Sequence, residues 1–81
     1  MIDKIFDELF LWVIEKKQFY TSEVMNTHGE TKKICFKIFN VCVNSIEAAK
    51  TLYGENKKVE ACTNLLKAFE KAEKYAEDLT F

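Results

Sequence analysis

The sequence predicts an all-α protein, a compact three- to four-helix bundle around a buried central helix. Three observations carry this. The chain has no proline and only two glycines, Gly29 and Gly54, so turn punctuation is scarce and long helices are favoured. Apolar residues recur at helical spacing near both ends of the chain. Between them, Ile34 to Ala49 (ICFKIFNVCVNSIEAA) is apolar over most of a helical circumference. With 81 residues the chain is expected to form one domain, 1–81, with a modest core that needs no staples.

The first element is expected from Ile2 to about Lys17. Ile2, Ile5, Phe6, Leu9, Trp12 and Val13 form its apolar face. Asp3, Asp7 and Glu8 near its start and Lys16 and Lys17 at its end suit the helix macrodipole. Leu11 and Ile14 depart from the pattern, since they project toward the arc that holds Lys4, Asp7 and Glu15. They are either scattered surface residues, which are common, or part of a covered patch.

Gln18 to Gly29 reads in two ways. Thr21 or Ser22 could cap a short helix that Gly29 ends, or Phe19 to Met25 could be the first strand of a hairpin. The second option gives an α+β alternative, with a β-hairpin at about 18–43 followed by two helices.

In the central element the polar residues Lys33, Lys37, Asn40, Asn44, Glu47 and Thr51 follow spacings of 4, 3, 4, 3 and 4. On a helix they cover an arc of roughly 80°, so most of the remaining surface needs cover. Thr27-x-x-Glu30 fits a capping box at its start, and Gly54 fits a left-handed stop. Phe39 is expected at the centre of the core.

The last element, about Asn56 to Leu79, carries Cys62, Leu65, Phe69, Ala72, Ala76 and Leu79 at spacings of 3 and 4. Ala61, Ala68, Ala72 and Ala76 make a low face that another helix can approach closely. Glu70 and Lys74 are spaced as an i,i+4 ion pair, while Lys57, Lys58, Glu77 and Asp78 oppose the macrodipole.

Composition narrows the function. All twelve basic residues are lysine, so the side chain best suited to bidentate phosphate or guanine recognition is missing, and the net charge is −1. Cys35, Cys42 and Cys62 are an odd number in apolar surroundings. Cys35 and Cys42 stand roughly 10.5 Å apart along an intact helix, too far for a disulfide or a shared zinc ion. Buried free thiols, a cytoplasmic location and no cofactor or metal are therefore expected. The first residues show no secretory pattern, and the longest apolar run, Leu9 to Ile14, is too short to span a membrane. His28 has no recognisable nucleophile motif beside it and both glycines stand alone, so no enzyme activity is expected.

Two function readings follow. The first is a small non-catalytic protein-interaction or regulatory module that associates with itself as a homodimer, or with another protein. Its expected interface is Leu11, Ile14, Phe36 and Val43. The alternative is a DNA-binding regulator. The segment from Phe19 to Gly29, followed by a Lys- and Asn-rich helix, resembles a helix-turn-helix. That resemblance implies a first crossing helix from Tyr20 to Met25 and a reading face of Lys32, Lys33, Lys37, Asn40 and Asn44. The same polar line equally suits the solvated edge of a well-covered helix.

Overall fold

The computed structural model describes residues 1–79 and contains three helices: α1 (Ile2–Asn26), α2 (Gly29–Gly54) and α3 (Lys58–Ala76). Asp3 and Phe6 at the start of α1 meet Tyr53 at the end of α2, so α1 and α2 run antiparallel. Asp3–Lys58, Trp12–Phe69 and Lys16–Glu73 ascend together, so α1 and α3 run parallel. The result is an elongated three-helix bundle with extents of 41 × 19 × 15 Å, its long axis matching the roughly 38 Å of a 25-residue helix.

The all-α expectation holds, and two finer parts of it do not. No fourth helix and no strand is present among the described residues, so the hairpin at about 18–43 is replaced by helix. Gln18 to Asn26 simply continues α1 by two and a half turns. Thr21, expected as a possible cap, instead donates its hydroxyl back to the Lys17 carbonyl at 2.6 Å. Tyr20 to Met25 is thus the end of α1 and not a separate crossing helix.

Nor is α2 a buried central helix. Phe36 is exposed and Val43 only partly covered, and the exposed residues run from Lys32 through Phe36 to Lys37. That is an arc of roughly 140° at 100° per residue, far wider than the polar line alone. The cause is simple: in a three-helix bundle each helix has only two neighbours, so each keeps an open side.

The ends of α2 also differ from expectation. The N-cap residue is His28, without a side-chain cap bond. Thr27 donates back to the Glu23 carbonyl at 2.6 Å, and Glu30 pairs with Lys33 at 3.2 Å, so the Thr27–Glu30 box is not formed. Gly29 takes φ +61, a left-handed value that lets the chain reverse in two residues. At the other end Gly54 is the last helical residue, and Asn56 is the left-handed one, at φ 63. The Lys57 N–H reaches the Leu52 carbonyl at 2.8 Å and the Asn56 N–H reaches Tyr53 at 3.0 Å, which is a Schellman stop with asparagine in the usual glycine place.

The core runs the length of the rod. Phe6, Val13 and Tyr20 from α1 meet Cys35, Ile38, Cys42, Ile46 and Ala49 from α2 and Ala61, Cys62, Leu65 and Ala72 from α3. The alanine face of α3 lies against α2, where buried Ser45 donates to Asn64 Oδ1 at 2.7 Å. Ile38 and Leu65 are its largest fully buried side chains. Phe39, expected at the centre, is partly buried at the edge of the cluster. No ion pair joins Glu70 to Lys74 among the described residues; Lys58 instead pairs with Asp3 at 3.0 Å, which offsets its unfavourable place at the start of α3.

Candidate interaction surface

A line of exposed apolar side chains lies along the seam where α1 and α3 run side by side. Ile5, Trp12 and Phe19 recur every seven residues on α1, and Val59 and Leu66 do the same on α3. Each is between 44% and 68% exposed. Because the two helices are parallel, with residue n of α1 level with about n+57 of α3, the side chains alternate down the seam. From Ile5 to Phe19 this strip is roughly 21 Å long at 1.5 Å rise per residue.

Toward one end the strip deepens into an open groove of about 460 Å³, lined by Trp12, Glu15, Lys16, Phe19, Tyr20 and Phe69. Trp12 meets Phe69 with ring centroids 5.9 Å apart, and Lys16 reaches over the Phe69 ring at 4.8 Å while pairing with Glu73 at 2.5 Å. These contacts hold the groove floor in one arrangement, with the indole half open to solvent.

The sequence pattern places Ile5 and Trp12 on the core face and Leu66, with Ala68, in a widened apolar stripe of the last helix, and it does not single out Phe19 or Val59; Leu66 is instead 46% exposed. The buried face of α1 is centred on Phe6, Val13 and Tyr20, turned toward α2, where Phe10 and Ile14 also pack. That rotation leaves Ile5 and Trp12 on the far flank. The signal that finds the strip is the seven-residue line 5, 12, 19, visible once α1 is read as continuous to Asn26.

The four expected interface residues sit on the opposite edge, between α1 and α2. Leu11 is 53% exposed and Phe36 is 50% exposed. Ile14 packs against the core, and Val43 is partly buried. This edge therefore offers two separated apolar side chains, not a strip.

Lys33, Lys37, Asn40 and Asn44 are all exposed along one line of α2, and Lys32 is exposed on the other side of Phe36. Lys33 is held by Glu30, and the Lys37 ammonium lies 5.9 Å from the Tyr75 ring. Gly29, Lys32, Lys33, Phe36 and Lys37 border a shallow groove of about 570 Å³.

Away from the strip, a polar cluster joins the ends of the three helices. Asp3 accepts from the Tyr53 hydroxyl and pairs with Lys58. The Tyr53 hydrogen bond and the Lys58 ammonium hold the Asp3 carboxyl below its usual range. The bond to Asp3 in turn pushes the Tyr53 phenol up to about 12. Cys35, Cys42 and Cys62 are buried free thiols, and burial raises the pKa of each. Among the described residues no three His, Cys, Asp or Glu side chains come together as a metal site would require. No helix of these residues is long and apolar enough to cross a membrane. Comparison with family models, with curated proteins and with solved structures finds no match for the chain.

Proposed function

We propose that this protein is a small non-catalytic helical interaction module whose working surface is the α1/α3 strip. The observation that carries the reading is the alignment of five half-exposed apolar side chains from two helices along one seam. Scattered apolar residues need no explanation, but a continuous strip rimmed by charge is the usual mark of a docking surface. Aromatic anchors beside a preformed groove supply much of the affinity at such surfaces. Self-association through Leu11, Ile14, Phe36 and Val43 is the weaker form of this reading, because Ile14 and Val43 already serve their own bundle.

A photo-crosslinking residue in place of Leu66 tests the reading in an extract of the native cells. Discrete adducts from position 66, and none from the same group at Lys50 on the open side of α2, are expected. Equal labelling from both positions would sink the proposal.

A second reading, DNA binding through Lys32, Lys33, Lys37, Asn40 and Asn44, draws on their joint exposure along α2. Fluorescence anisotropy with mixed duplex DNA at two salt concentrations decides it. Phosphate contacts are strongest at low salt, so no binding there would dismiss it.

A further inference from the structure

We propose that the occupant of the α1/α3 strip is a basic amphipathic helix supplied by another protein. This rests on the strip being a docking surface, and adds the chemistry of what docks. The warrant is the charge along its borders. Glu8 and Glu15 stand exposed beside Ile5, Trp12 and Phe19 on α1; Glu70, Glu73 and Glu77 stand exposed beside Leu66 and beyond it at the end of α3. The same borders carry Lys4, Lys16, Lys57, Lys58 and Lys74; Lys16 is engaged with Glu73, Lys57 with Glu55 and Lys58 with Asp3. With those pairs set aside, Glu8, Glu15, Glu70 and Glu77 outnumber Lys4 and Lys74, so the strip is an apolar floor between walls with an acidic excess, roughly 21 Å long, the length of about four helical turns. A helix with apolar anchors at i, i+4 and i+7 and lysine or arginine on its flanks complements both features.

The same charges argue against a second copy laid symmetrically on the strip. A two-fold contact places identical patches face to face, so acidic wall would meet acidic wall. Like charges opposed across an interface suppress that pairing.

Trp12 is the only tryptophan and lies in the groove, so its fluorescence reports occupancy directly. The probe is an 18-residue peptide (a length of about five turns) with leucine at the heptad a and d positions and lysine on the flanks. Its twin carries glutamate in place of every lysine. Saturable blue-shifted emission with the lysine peptide, weakened by added salt, and none with the glutamate twin, is the expected result. The double variant Glu8→Lys, Glu15→Lys changes two exposed side chains, leaves the helical circular dichroism in place, and should weaken the lysine peptide by roughly tenfold.

Equal binding of both peptides would overturn the basic-helix inference and leave the docking reading standing. Saturation by neither would overturn both. Concentration-dependent mass in light scattering without peptide, abolished by Leu66→Lys, would assign the strip to a second copy and overturn the inference as well.

Discussion

At the scale of single residues, one polar cluster and one turn position carry more structural weight than their types suggest. Asp3, Tyr53 and Lys58 tie the start of α1 to the end of α2 and the start of α3 in one polar cluster. Folding raises the Tyr53 phenol from 10.0 to about 12, so the protonated form is favoured in the native state. Its contribution is fully present below pH 10 and is lost as pH rises through about 12. Asp3 shifts the other way, so its contribution is present above 3.8 and fades as pH falls below that. In an ultraviolet titration one tyrosine should ionise near 12, and Asp3→Asn should return that step toward the ordinary value. A titration unchanged by Asp3→Asn would mean the bond is not formed in solution. Asn56 is the turn position. Its left-handed φ suits glycine or asparagine and strains other side chains by about 1 kcal/mol. Asn56→Ala should therefore destabilise by about that amount in urea unfolding, while Asn56→Gly should not.

At the scale of elements, the core prediction turns on which faces the helices bury. Leu65 and Ile38 are fully buried where α2 and α3 meet, so Leu65→Ala should cost about 2–5 kcal/mol. Phe39→Ala should cost less than Leu65→Ala, because Phe39 lies at the edge of the cluster; the reverse order in chemical denaturation would misplace the core. That edge position was not legible in the sequence. Hydrophobicity names Phe39 as core material, but only the placement of α1 says which side of α2 is covered. What was legible was local. The 3–4 spacing of Cys62, Leu65 and Ala72 marked the buried face of α3, and its alanines marked a close approach that Ala61, Ala68 and Ala72 make. The length of α1 was hidden because Lys16, Lys17 and Gln18 resemble a helix end, whereas Tyr20 and Val24 packing against the core carry the helix on to Asn26. Tertiary contact outweighed the local stop signal, and the exposed line 5, 12, 19 became readable only with that continuation. The left-handed stop was misassigned for a similar reason. Gly54 has the right type, yet the Schellman hydrogen bonds place the reversal two residues later.

At the scale of the whole molecule, three long helices share one continuous core, and the cysteines sample it along the rod. Cys35 lies near the α1–α2 connection, Cys42 toward the middle, and Cys62 near the opposite end beside the start of α3. All three thiols are buried and held above their ordinary pKa by that burial, so attack requires the bundle to open. A small single-core protein of this kind is expected to open as one unit. Labelling with an aromatic disulfide reagent at rising urea should then give three thiols whose opening free energies converge on the global value. The competing behaviour is fraying from an end, which low-stability segments show in many proteins. It would appear as Cys62 reacting at lower urea than Cys42, because α1 and α3 meet along the least extensive of the three helix contacts. That contact is also the seam that carries the exposed strip. If fraying is the route, an occupant bound there ties α3 to α1 and raises the protection of Cys62 more than that of Cys35. Adding the lysine peptide to the same labelling experiment should therefore raise all three opening free energies together if the bundle opens as one unit, and should narrow the gap between Cys62 and Cys42 if α3 frays first; no change at any thiol would mean that the peptide does not bind the folded bundle.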